Sequence, residues 1–187
     1  MLPLRGKDFQ LRPFRASDEA QFVMAVRESI PTVGLWMPWA RADYGVYDAR
    51  EWFDRCAATM EEGTAYDIGV FSPDGRELYG GVAINQIRRE DNLGNLGYWI
   101  RQSQQHRGLA TGAAAMMACH GFHALGLTRL EIVAVETNLA SRAVAEKIGA
   151  EFECIARNRL ILRGRPVAAA VYSLVPESFS VHKLPQS

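Results

Sequence analysis

Between Ala65 and Ile100 three strand-like segments follow one another with only turns between them, and this run narrows the possible folds more than any other feature of the chain. "AYDIGVF", the turn "SPDG", "ELYGGVAINQI", a polar break at "RREDN" and then "LGNLGYWI" carry the β-branched and aromatic residues of strands. Breaks this short join antiparallel neighbours, because a parallel crossover needs a dozen or more residues. A doubly wound sheet is therefore excluded. Upstream, "FQLRPF" alternates like an edge strand, with Pro13 fitting only an edge or a strand end. From Ser17 as N-cap, "DEAQFVMAVRESI" reads as a first helix with Ala20, Val23 and Met24 inward. Asp48 and Glu51 resemble a capping box for a second, with Trp52, Cys56 and Met60 on one face.

Downstream of Ile100 come an alanine-rich helix ending near Gly126 and the strand "RLEIVAV". A short helix, "SRAVAEKIGA", is stopped by Gly149, and "FECIARNRLIL" and "PVAAAVYSLV" form a closing hairpin about "RGRP". The expected class is α/β (α+β): a mixed, largely antiparallel central sheet with helices on both faces. The 187 residues suffice for one domain spanning 1–187. Lys plus Arg and Asp plus Glu both total 21, so no cationic excess points to nucleic acid. Cys56, Cys119 and Cys154 have neither a disulfide framework nor metal-ligand spacing, and no metal is expected. The opening "MLPLRGKDFQLRPF" lacks the apolar centre of a leader, and nowhere do about 18 apolar residues run together. A cytoplasmic setting without a membrane partner is the expectation.

Chemistry concentrates in "QSQQHRGLATGAAAMMACHGF", residues 102–122, a basic, glycine-punctuated loop that runs into the alanine-rich helix. A helix start offers unpaired N–H groups and a partial positive charge, and Gly108 has no side chain to keep an anion away. His106 and Arg107 add donors, while Ala110 and Thr111 leave the first turn open. The loop lacks the Lys-Ser/Thr of a nucleotide P-loop and the three glycines of a dinucleotide fingerprint.

Gln105 to Ala110, "Q-H-R-G-L-A", resembles the Gln/Arg-x-x-Gly-x-Gly/Ala signature of the GNAT superfamily of N-acetyltransferases, in the strand-loop-helix context that family requires. "TNLASRAVAEKIGAEFE", "LGYWI" and "LWMPWA" are similar to its RimJ/RimL-like branch, which acetylates ribosomal-protein N-termini; the likeness runs over about residues 8–176. The resemblance implies a GNAT-like acyl-CoA N-acyltransferase fold with acetyl-CoA as cofactor. It implies main-chain pairing of pantetheine at Trp99 and Ile100, and a pyrophosphate held by backbone groups of Arg107, Gly108, Leu109, Ala110 and Thr111, with Gln105 and His106 also among the cofactor-binding residues. It places Asn138 against the pantetheine arm or the reacting amine, and Ser141 near the sulfur as proton donor; Asn138 is equally a helix cap. His106 stands where many relatives have glycine. The alanines around Ala168 replace a common acidic residue, which bears on the acceptor.

Trp36, Trp39 and Tyr98 are candidate substrate-binding residues; packing over the sheet is the alternative for the tryptophans, and Tyr98 and Trp99 face opposite sides of their strand. The implied reaction is acetyl transfer to a primary amine, foremost a protein N-terminal α-amine. A small amine such as a polyamine, amino acid or antibiotic is the alternative acceptor, and a non-catalytic acyl-CoA-binding protein the alternative class. Glu28, Glu136 or a relayed water could take the amine's proton. A Cys119 dyad with His120 or His123 is disfavoured for want of a third member. An exposed edge strand in the final hairpin could pair two subunits as a homodimer.

Overall fold

The computed structural model describes residues 2–179. Its first strands are short, β1 (Leu4–Arg5) and β2 (Gln10–Arg12). Two helices follow, α1 (Glu19–Glu28) and α2 (Val46–Glu62), then the meander β3 (Tyr66–Phe71), β4 (Leu78–Arg88) and β5 (Leu93–Ile100). The second half is α3 (Leu109–His123), β6 (Arg129–Val135), α4 (Leu139–Lys147), β7 (Glu151–Leu162) and β8 (Arg165–Leu174). All eight strands join one sheet in the order β1-β2-β3-β4-β5-β6-β8-β7. Every pairing is antiparallel except β5 with β6. The mixed, largely antiparallel sheet of the sequence reading is what the chain forms.

Alternation along the strands sorts side chains onto two faces. Ile68, Val82, Ile84, Leu96 and Ile100 pack with α3 and α4. Phe71, Leu78 and Trp99 pack with α1 and α2. Helix α3 is rich in alanine because it lies close on the sheet: a Cβ added at Gly121 would sit 2.6 Å from Ile84 Cδ1. Its Ala113, Ala114 and Ala118 are fully buried. On the opposite face, Phe14 stacks on Phe53 at 4.6 Å, and Phe22 meets Trp99 edge-on at 5.7 Å.

Four local expectations are corrected. Strand β2 is covered by β1 and is no edge; it ends before Pro13. Helix α1 turns Phe22, Val23, Ala25 and Val26 inward and leaves Ala20 and Met24 exposed, because Phe22 commits the face to the aromatic cluster. Ser17 is not its cap; Asp18 accepts the Arg15 N–H at 2.9 Å and pairs with buried Arg12 at 2.7 and 2.9 Å, fixing the chain's entry to α1. In α2, Asp48 sits three positions past the N-cap Gly45, whose N–H it accepts at 2.8 Å. Among the described residues no helix is long and apolar enough to cross a membrane.

Candidate active site

The two central strands part. β5 and β6 pair only through Leu93–Asn95 with Arg129–Glu131, whereas β4 accompanies β5 to Ile100 and β8 accompanies β6 to Val135. A gap opens beside Leu96–Ile100. Arg101 N–H donates to the Tyr79 carbonyl at 2.8 Å, so at two-residue steps Trp99, Gly97 and Asn95 also aim their main chains at β4. Leu96, Tyr98 and Ile100 aim theirs at the gap. Of the two residues expected to offer main chain to pantetheine, Ile100 therefore faces it and Trp99 does not. Gln105 spends its amide on the Ile100 carbonyl at 2.9 Å and the Thr32 hydroxyl at 3.2 Å, which ties the loop to the strand end.

That loop delivers the start of α3. Its N-cap, Gly108, has φ +76°, a left-handed conformation that glycine adopts without strain, and no side chain caps the helix. The first bond back to the cap is Gly112 N–H to the Gly108 carbonyl at 2.9 Å, leaving the N–H groups of Leu109, Ala110 and Thr111 directed outward. A Cβ at Gly108 would meet nothing within 4 Å, and the first turn holds no acidic residue. His106 also adopts positive φ, +62°, and is exposed like Arg107. Leu109 is buried by its side chain and offers only its N–H. Arg107 is held by Gln104 and lies over the Tyr79 ring at 5.6 Å. An open, uncapped, acid-free helix start fits the diphosphate of an acyl-CoA.

Across the gap, Asn138 caps α4 by accepting the Ser141 N–H at 3.2 Å. The Ser141 hydroxyl donates to the Tyr98 hydroxyl at 3.3 Å, and Tyr98 donates to the Ser141 carbonyl at 2.8 Å. Burial pushes the Tyr98 phenol up to about 12, so it remains a donor near neutral pH. Tyr98 thus turns its hydroxyl toward α4 while still lining the cleft on the α1/α2 side, where Trp99 is the large side chain that β5 presents.

On that face lies a cleft of about 420 Å³. Trp39, Trp52 and Trp99 are among its walls, with Trp39 edge-on to Trp99 at 5.5 Å. Trp36 is not among the lining residues, and of the two loop tryptophans Trp39 reaches the cleft. Gly81, Ala83 and Gly97 line it from β4 and β5; a Cβ at Gly97 would approach only Asn95 Nδ2, at 3.9 Å. Asp67 and Asn85 also line it, and Asn95 Nδ2 donates to Asn85 Oδ1 at 3.0 Å. Burial pushes the Asp67 carboxyl up to about 6, against a smaller opposing effect of hydrogen bonding from Asn85. Sequence reasoning missed Asp67, which reads as an ordinary polar position in "AYDIGVF".

The other candidate bases are engaged or remote. Burial alone would raise Glu28, but hydrogen bonds from Arg101 and from the Ser103 N–H override it and hold the carboxyl down at about 2. Glu136 is exposed and does not line the cleft. Burial raises the Cys119 thiol and lowers His120, whose ring lies against Tyr66 at 6.2 Å, the opposite of an activated pair.

A split sheet with an anion-ready helix start at its mouth defines an acyl-CoA-dependent acyltransferase, and the family comparison agrees: residues 8–151 match the acetyltransferase (GNAT) domain, and the chain belongs to that family. Its members draw the acetyl group from acetyl-CoA. Among solved structures, a Vibrio cholerae protein provisionally assigned as a ribosomal-protein-serine acetyltransferase is 32% identical, with TM-score 0.83 over 94% of this chain and 98% of that one. RimJ of Mycobacterium smegmatis, solved with a CoA disulfide, is 25% identical, with TM-score 0.84 over 96% of this chain and 85% of that one. The probable N-acetyltransferase YjcK of Bacillus subtilis is 28% identical over 164 residues, 86% of this chain and 90% of that protein.

Proposed function

We propose that the protein transfers an acetyl group from acetyl-CoA to a protein N-terminal α-amine of the ribosomal-protein kind. The observation that carries this reading is the arrangement about β5: one edge borders the gap and the α3 start, while its α1/α2 face floors an aromatic cleft. Donor and acceptor can meet along one strand. Likeness to the Vibrio cholerae protein supports the choice of a protein terminus.

In this reading the N–H groups of Leu109, Ala110 and Thr111 hold the diphosphate, and the main chains of Leu96, Tyr98 and Ile100 hold the pantetheine arm by adding it as a strand edge. Asn138 keeps α4 capped and presents its remaining amide to the arm. Acetyl-CoA supplies an activated thioester. Ser141, held by Tyr98, donates a proton to the departing sulfur. An α-amine, with a pKa of about 7.7 to 8.0 against about 10.4 for lysine, is partly neutral at physiological pH and asks little of a base.

The size of the cleft favours a second reading, a small amine acceptor. Incubating a cell lysate with the enzyme and isotope-labelled acetyl-CoA separates the two. Label at protein N-termini supports the first reading; label confined to metabolites overturns it in favour of the second.

A further inference from the structure

We infer that Asp67 is the acceptor's subsite: it receives the amine as its ammonium ion at the inner end of the aromatic cleft and takes the first proton from it. The inference rests on the N-acetyltransferase reading and adds to it the residue that binds the acceptor, which neither the GNAT motif nor the loop chemistry identifies.

Register gives the placement. Asp67 stands opposite Ala83, and Ala83 opposite Gly97, so one row crosses β3, β4 and β5. Only Asp67 in that row carries a long side chain. With neighbouring strands about 4.8 Å apart, the Asp67 and Gly97 main chains lie roughly 10 Å apart. That distance leaves room for an amine between the carboxylate and the open strand floor.

The other charged groups facing this space are already paired. Asp48 is held by Arg41 at 2.7 Å and by the Gly45 N–H at 2.8 Å. Glu51 has Arg55 at 3.8 Å. Cys56 from α2 is buried, and its thiol is pushed up by burial and then by the Asp67 charge. Tyr44, raised to about 12 by burial and then by Asp48, stays neutral. Phe22 from α1 is apolar, and Asn85 and Asn95 from β4 and β5 are neutral. Among the described residues, Asp67 is the cleft carboxylate with no cation within 4.0 Å. A half-buried carboxylate without a cation favours binding one, and the tryptophan faces favour the same charge. The acceptor class is a primary amine on a compact body, its apolar part among Trp39, Trp52 and Trp99.

The step balances. The ammonium gives one proton to the Asp67 carboxylate. Its nitrogen bonds to the acetyl carbon as the carbon–sulfur bond breaks. A second proton leaves nitrogen and replaces the one that the Ser141 hydroxyl gives to sulfur to form the thiol, and the third remains on the amide.

Two measurements test this, using the full chain with a serine-initiated tetrapeptide and with 2-phenylethylamine. The first follows kcat/KM of wild type and Asp67→Asn from pH 5 to 9.5. Wild type should lose activity below about pH 6, where Asp67 is protonated. With the tetrapeptide, Asp67→Asn should be about 100-fold slower near pH 7 and recover most of that loss above pH 9, where an α-amine is already neutral, whereas with the more basic 2-phenylethylamine the loss should persist to pH 9.5. The variant's acetyl-CoA affinity should be unchanged. An equal loss at every pH with the tetrapeptide overturns the proposal in favour of a structural role. The second follows the Asp67 carboxyl carbon by NMR titration with each amine and with the N-acetylated peptide. A free amine should lower the midpoint by about one pH unit and the acetylated peptide should not; no movement with either amine overturns the proposal, turnover or not. Turnover of phenylethylamine alone would count against the protein-terminus reading while still testing Asp67.

Discussion

In the proposed reading, the free edge of β5 and its α1/α2 face hold their ligands by different means. At its free edge and the neighbouring start of α3, recognition belongs to main-chain groups: Leu96, Tyr98 and Ile100 along the gap, and Leu109, Ala110 and Thr111 at the helix. On the α1/α2 face it belongs to side chains drawn from β3, β4, β5, α2 and the loop before it. A main-chain site depends on conformation and open space, so many residue types preserve it. A side-chain site changes whenever one of its members does. The contrast suits an enzyme family with one donor and many acceptors.

Substitutions can break that contrast. The largest effect is expected from Gly108→Asp, which sets a negative charge at the helix start: acetyl-CoA affinity by calorimetry should fall more than ~100-fold, the scale of losing two charge-assisted hydrogen bonds, whereas Gly108→Asn should retain much more of it. Ser141→Ala should lower kcat about 100-fold with little change in acetyl-CoA affinity if its hydroxyl serves the leaving sulfur; a loss in affinity alone would assign Ser141 to binding. Gly97→Val fills the cleft floor and should reduce kcat/KM for the acceptor ~30-fold, leaving KM for acetyl-CoA within twofold. Asn138→Ala removes the α4 cap at a cost of about 1 kcal/mol, a fall in Tm of about 2–4 °C.

The smallest effect concerns acid stability. Glu28 is held at about 2, below its ordinary 4.5, so the stability it contributes is complete above pH 4.5 and is lost as pH falls toward 2. Glu28→Gln should flatten that part of the acid-unfolding curve. Asp67 has the opposite sign: raised to about 6, it favours the folded state most at low pH and loses that advantage as pH rises through 6. Asp67→Asn should therefore gain stability relative to wild type above pH 6.

The same contrast explains what could be read from the chain. The open start of α3 is legible because its parts are contiguous: strand, basic loop, Gly108, then small residues. The meander was legible because short turns leave antiparallel pairing as the only option. The cleft was largely not, since Asp67 and Gly97 become neighbours only through registers across β4. Trp36 and Trp39 share a local context, and tertiary packing of Trp39 against Trp99 and Tyr44 distinguishes them. The main-chain direction of Trp99 depends on ladder phase, which Arg101 and Tyr79 set and composition does not reveal. Met24 was misplaced because the inward arc of α1 follows Phe22 toward Phe53 and Trp99.

A crystal structure of the protein with acetyl-CoA tests the central claim most directly. The account predicts diphosphate oxygens about 2.9 Å from main-chain nitrogens between residues 108 and 112, with the pantetheine arm running beside Leu96–Ile100. A diphosphate bound elsewhere, or held there by side chains with those nitrogens turned away, would contradict it.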